Sequence, residues 1–244
     1  MPSIPSLAYC GPPPLPAELW SRWTFDPLLL LGIALAGAAG LWAGRRLPAS
    51  RRAAFGAGWL VVALAFASPL CALAVALFGA RAGQHMLLAL VAAPLLALGL
   101  PRGGWQVPGS LAAAGFTALF WLWHLPGPYD AALRDGLIYW LSHLSLLGAA
   151  LALWRALLRE GAGPGAWALG AMASAQMGLL GAVLVFAPVP LYASHLATTL
   201  PFGLTPLQDQ QLGGLLMWVP GSLAFLLAGL GGLLRLLAPA SGRA

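Results

Sequence analysis

Residues Gly109–Asp130 read GSLAAAGFTALFWLWHLPGPYD. From Leu111 to Trp123 the only polar side chain is Thr117, and no charge interrupts the run. His124 closes it, and Pro126-Gly127-Pro128 stops any helix just beyond, because proline lacks the donor a helix needs. An apolar helix over 109–125 lies within the range of roughly 17–25 residues that crosses the hydrocarbon core. The reading is a membrane span with a titratable ring at its mouth.

The rest of the chain agrees with a membrane protein. Of its 244 residues 60% are hydrophobic and 7% charged, where a soluble domain carries about 25% charged residues. Mean hydropathy is +0.85. All 12 basic residues are arginine, and net charge is +6. No basic patch interleaves with aromatics, so nucleic acid is not an expected partner; clustered arginine in such a chain reports orientation.

Seven apolar segments qualify as spans: 27–43, 54–70, 84–100, 109–125, 137–157, 166–187 and 211–237. The fold class expected is therefore an all-α integral membrane protein, a bundle of seven transmembrane helices. With the N-terminus outside, one side holds Arg45, Arg46, Arg51, Arg52, Arg102, Arg155, Arg159, Arg235 and Arg243, and the other Arg22, Arg81 and Arg134. The arginine-rich side is cytoplasmic by the positive-inside rule, giving N-out and C-in. Residues 1–26 form a proline-rich extracytoplasmic arm without the apolar run of a secretory signal. The membrane domain is 27–237, and 238–244 is a cytoplasmic tail. The second apolar run continues past Ser68-Pro69 to Phe78. A span ending near Pro69, followed by a short helix on the outer surface, is expected there.

On this map all four histidines are outer. His85 begins the third span, His124 closes the fourth, His143 lies two turns into the fifth, and His195 sits in the loop before the last. Glu18, Asp26, Asp130, Asp135 and Asp209 are outer too, and polar groups near membrane depth mark function more often than chance. Asp130 and Asp135 read equally well as solvated interfacial groups. Thr205, Pro206 and Gln208 form a capping box that starts the last helix. Asp209 in its first turn favours the helix dipole. Asp209 and Gln210 exceed what capping needs, and Gln210 shares a face with Met217. Gly213-Gly214 lets a neighbouring helix approach closely.

Imidazole, thioether and thiolate together suit Cu(I). Met86, Met217, Cys10 and Cys71 are the soft groups on the outer side. His85-Met86 is an adjacent pair, and neighbours on a helix face different ways. Cys10 and Cys71 read as a disulfide, a metal-binding thiol pair or two unrelated thiols, the last being the expectation. No HExxH, CxxC, Walker or GxSxG pattern occurs, so no catalytic residue is assigned and an enzyme is not expected.

Several motifs in order carry a likeness to a known family: Arg22-Trp-Thr-Phe-Asp-Pro27, Ala67-Ser-Pro-Leu70, Gln84-His-Met-Leu-Leu88, Ala93-Pro-Leu-Leu96, Trp121-Leu-Trp-His-Leu-Pro126, Tyr129-Asp-Ala-Ala-Leu133, Thr205-Pro-Leu-Gln-Asp-Gln-Gln211 and Met217-Trp-Val-Pro220. Over nearly its whole length the chain resembles the CtaG-type cytochrome c oxidase assembly factors, seven-span proteins of the bacterial inner membrane. Arg81-Ala82 and Cys71 depart from the pattern, which often has His-Met and an acidic residue there. The resemblance implies a multi-pass assembly factor that binds or delivers copper at the periplasmic face. The implied ligands of Cu(I) are His85, Met86, His124 and His143, with Asp209, Gln210 and Met217 orienting them. Oxidase subunits and a periplasmic copper donor are the implied partners. The alternatives are a copper transporter using Met172, Gln176 and Met177, a haem-binding protein using two of the histidines, and a scaffold without metal.

Overall fold

The computed structural model describes residues 8–101, 103, 107–159 and 164–237; the tail 238–244, Arg102, Glu160 and Arg243 lie outside them. Among the described residues there are helices and no strand. The helices are α1 (Pro27–Ala43), α2 (Ala49–Ala67), α3 (Pro69–Ala76), α4 (Phe78–Met86), α5 (Ala93–Gly99), α6 (Gly109–His124), α7 (Pro126–Arg134), α8 (Gly136–Leu157), α9 (Pro164–Phe186) and α10 (Pro206–Leu237). All seven apolar segments fall on helix, but 54–70 runs across the break between α2 and α3, and 84–100 covers only the end of α4 with the turn and helix after it. Four helical segments are long and apolar enough to cross a membrane: Phe78–Gly99, Gly136–Leu157, Ala168–Phe186 and Pro206–Leu227. The pair α2–α3, bent by 54°, makes a fifth if it is one broken span. The expected count of seven is not reached because α1 and α6 have 17 and 16 residues, short for a crossing of about 20.

Local chemistry explains where the helices begin. The Asp26 side chain accepts from Leu28 N and precedes Pro27. Asp135 accepts from Leu137 N and Ile138 N at the start of α8. Asp135 is thus an N-cap rather than a merely solvated acid. Ser68 accepts from Leu70 N and turns the chain from α2 into α3. The capping box forms as read: Gln208 N donates to Thr205 Oγ1 at 3.2 Å, and Thr205 N to Gln208 Oε1 at 2.9 Å.

Two expectations about this region fail. α3 does not lie on a surface: Pro69, Cys71, Ala72, Ala74, Val75 and Ala76 are all buried. The helix has no polar face to offer water, so it packs inward. The third span begins at Phe78, not near residue 84. His85 is therefore two turns inside, not at an end.

Between α4 and α5 the helix widens into a π turn, Leu87–Ala92. Pro94 follows; it has no N–H to donate and its ring needs room on the preceding turn, which the widened turn gives. The last helix is clamped by its glycines. A Cβ on Gly214 would lie 2.8 Å from Gly181 O, and one on Gly213 would lie 2.4 Å from the Phe78 ring. Both contacts need a bare Cα, so α10 seats against α9 on one side and α4 on the other.

Cys10 and Cys71 are joined in a disulfide, with their Cα atoms 5.6 Å apart. This corrects the expectation of two unrelated thiols. The arm folds back over the bundle, where Tyr9 stacks on Tyr139 at 5.2 Å and meets Trp140 edge-on at 4.9 Å. That packing, and the Tyr9 hydroxyl donating to Asp26 at 2.7 Å, brings the two sulfurs together.

Candidate functional site

The site is a polar cluster inside the apolar bundle, built from α4, α6 and α8. His85 and His143 each lie two turns from the start of their spans, roughly 10 Å down the helix axis. His124 ends α6 beside them. All three are buried. The His85 ring meets His143 at 4.9 Å and His124 at 5.3 Å between centroids, both edge to face. Of the four expected metal ligands, the structure brings these three together.

Hydrogen bonds fix which ring nitrogens carry protons. His124 Nδ1 is 2.7 Å from Phe120 O, and His143 Nδ1 is 2.9 Å from Tyr139 O. A carbonyl only accepts, so both Nδ1 atoms are protonated and both Nε2 atoms carry lone pairs. The lone pair of His124 Nε2 faces His85 Nδ1 at 3.5 Å. His85 Nδ1 is then the donor, which leaves a lone pair on His85 Nε2. That atom is buried with no hydrogen-bond partner. His143 Nε2 faces Gln84 Oε1 at 3.4 Å. Gln84 donates its own N–H to Ala65 O at 2.6 Å, which holds its oxygen, an acceptor, against the imidazole lone pair.

Arg81 completes the cluster one turn before His85, so the two share a face of α4. It is 1% exposed. Its guanidinium lies over the rings of Tyr129 at 5.2 Å and Tyr139 at 5.4 Å. Its Nε and Nη1 are buried without a hydrogen-bond partner. Sequence reading missed it by counting Arg81 as an outer-side charge; the signal was an isolated arginine inside an apolar run.

Of the other polar residues, Asp209 caps α4 and Gln210 ties the end of α9 to the loop that follows it. Asp209, 0% exposed, does not serve its own helix. Its carboxylate accepts from Phe78 N at 2.6 Å and Gly79 N at 2.9 Å, the first free amides of α4, where the N-cap Leu77 has no side chain to offer. An acid there also suits the α4 dipole. Gln210 donates to Leu184 O at 3.1 Å and accepts from Leu191 N at 2.7 Å. Leu184 O is the carbonyl that residue 188 would have satisfied, had it not been proline.

His195 is buried outside the trio. Its Nδ1 is 3.2 Å from Ala76 O, and the Tyr129 hydroxyl donates to its Nε2 at 2.7 Å. With both nitrogens used, it is a strut that aims Tyr129. Burial lowers its pKa to about 4, opposed by the bond to Ala76. Asp130 fastens the same loop to α7, accepting from Ser194 N and Oγ at 3.2 and 2.6 Å. Tyr192 donates to His124 O at 2.7 Å.

Other expected ligands are elsewhere. Met86 lines an apolar groove of about 680 Å³ with Leu70, Gly83, Leu90 and Leu216. It faces away from the imidazoles because it follows His85 directly on the helix. Met217 is buried in the apolar core with Met177 and Leu180. Met172 is exposed while Met177 is buried, so α9 offers no line of thioethers across the bundle. Among the described residues no three His, Cys, Asp or Glu side chains form a group that could hold a metal ion as they stand. The imidazoles touch edge to face rather than facing one another as axial ligands of a haem do.

The family model described as cytochrome c oxidase caa3 assembly factor matches residues 32–110 and 106–238. No curated protein and no solved structure matches the chain.

Proposed function

The chain belongs to the caa3-type cytochrome c oxidase assembly factors, and from that premise we propose that it serves assembly by holding Cu(I) at the His85–His124–His143 cluster and passing it to the oxidase. In this reading the bundle crosses the membrane seven times, N-out and C-in, with α1 and α6 as thin spans, and the cluster opens to the periplasm of the bacterial inner membrane. A periplasmic donor supplies the ion and an oxidase subunit receives it. The role is delivery, not catalysis.

The observation that carries this reading is the tautomer pattern. His124 and His143 donate their Nδ1–H to backbone carbonyls, which is how metal-binding imidazoles are oriented. The lone pairs left over are on His85 Nε2 and His143 Nε2, and His124 Nε2 becomes free when His85 turns. Imidazole is an accepted ligand of copper. Only two or three ligands without a thiolate make a weak, exchangeable site, as hand-over requires. Cys10 and Cys71 are oxidised to a disulfide and supply no thiolate.

The test compares wild type with His85→Ala, His124→Ala and His143→Ala. Cu(I) bound by the purified proteins and copper in the oxidase of cells carrying each variant are measured. Loss of both in at least two variants is expected. Fully metallated oxidase in all three sinks the ligand assignment and leaves a scaffold that holds subunits by helix packing.

A further inference from the structure

Arg81 poses a problem that the copper reading does not solve. An arginine stays charged in any protein environment, and burying an unpaired ion costs several kcal/mol. No described carboxylate meets it: Asp209 is spent on Phe78 and Gly79, and Asp130 on Ser194 and Arg134. The flanking tyrosines offer ring faces but no negative oxygen. Tyr129 donates its hydroxyl to His195. The Tyr139 hydroxyl lies 3.5 Å from both disulfide sulfurs, which carry no hydrogen and can only accept. Nε and Nη1 of Arg81 remain donors without acceptors.

The cluster therefore holds two opposite unmet needs. Arg81 presents N–H donors; His85 Nε2, His143 Nε2 and Gln84 Oε1 present lone pairs. A cation alone would add its charge to that of Arg81 in a poorly screened interior. An anion alone would satisfy Arg81 and leave the lone pairs unmet. A cation and an anion bound together satisfy both. The rings of Tyr129 and Tyr139 flank the guanidinium at 5.2 and 5.4 Å, so the anion is small.

We propose that Arg81 holds a small monovalent anion of the halide class beside the imidazole-bound cation, so that the site takes up an ion pair rather than a bare metal ion. The proposal rests on the copper reading for the identity of the cation, and on the unpartnered Arg81 donors for the anion. The anion lowers the repulsion between Arg81 and the metal, and so sets how tightly the metal is held. A thiolate sulfur brought by a copper-carrying thiol is a second source of the same kind of donor.

The test uses the full chain purified in detergent. Cu(I) affinity is measured by chelator competition in methanesulfonate, in bromide and in methanesulfonate with a small monothiol. X-ray absorption at the bromine and copper edges reports contact, and bromide retained by copper-free protein is measured in parallel. Bromide is expected to tighten Cu(I) about tenfold, equivalent to ~1.4 kcal/mol, with bromine adjacent to copper. Arg81→Met is expected to abolish the difference, and Arg81→Lys to keep part of it. Equal affinity in all three media overturns the proposal, as does a bromide effect that survives in Arg81→Met. An effect of the thiol without one of bromide overturns the halide assignment in favour of a thiolate. If no Cu(I) binds in any medium, the copper reading fails by itself; the anion site then stands on Arg81-dependent bromide in copper-free protein and falls without it. Helical content of each variant is checked by circular dichroism, and Arg81→Lys carries the comparison should Arg81→Met not fold.

Discussion

Arg51 and Arg81 are the same residue in opposite settings. Arg51, at the start of α2, is half-buried and donates to Leu98 O at 2.8 Å and to Leu100 O. Those carbonyls end α5 and would otherwise lack partners, so the charge sits where a helix dipole welcomes it. Arg155 does the same for Pro101 O at 3.0 Å. Arg81 lies against two tyrosine rings one helical turn before His85, and two of its nitrogens meet nothing. Arg51 finishes backbone; Arg81, buried in the first turn of α4, costs stability. A charge count treats the two alike, and only their partners separate structure from function.

The largest effect expected bears on what holds Arg81 in place. Asp209→Ala removes two charge-assisted bonds from buried amides of α4 and is expected to cost about 2–3 kcal/mol. Denaturation of the purified variant measures it, and an unchanged midpoint would show that α4 does not depend on the cap. Arg81→Met comes next, with the opposite sign. Replacing an unpaired buried ion by an apolar side chain of similar length should stabilise by about 1–2 kcal/mol. Arg51→Met should destabilise by less than about 1 kcal/mol. If both variants lose stability alike, the contrast between the two arginines is broken.

A pH-dependent effect concerns His195 in the loop before α10. Its folded pKa of about 4 lies below the usual 6.5, so the unfolded chain takes up the proton first. Its contribution to stability is complete above about pH 6.5 and is lost as pH falls towards 4. His195→Gln should flatten that part of the pH–stability curve relative to wild type. Melting temperatures at pH 7 and pH 5 measure it, and parallel curves would contradict the buried, neutral state of this ring.

Much of this was legible in the sequence because prolines and caps mark helix ends whatever the tertiary structure. Pro27, Pro126 and the Thr205–Gln208 box fall at the starts of α1, α7 and α10. Gly213-Gly214 announced close packing and met two helices. The depth of His85 was not legible, since Leu70–Ala80 is apolar on every side and conceals the break at Leu77. α3 went astray for the same reason: a short helix without a polar face reads as interfacial only if one assumes it must end a span. The Cys10–Cys71 pairing spans 61 residues and depends on where Tyr9 stacks, which no local pattern encodes. Asp209 stood out beside the capping box of its own helix, but the helix that its carboxylate caps begins 131 residues earlier.

That last distance has a consequence for synthesis. A chain elongating from its N-terminus makes α4, α6 and α8 long before the ribosome reaches Asp209. Until α10 arrives, the leading amides of the helix that carries Arg81 and His85 have no carboxylate to answer them, and Phe78 has no Gly213 to rest on. The imidazole cluster is therefore completed last, by the final span. A nascent or truncated chain that ends before α10 has every histidine and still lacks the carboxylate that caps α4.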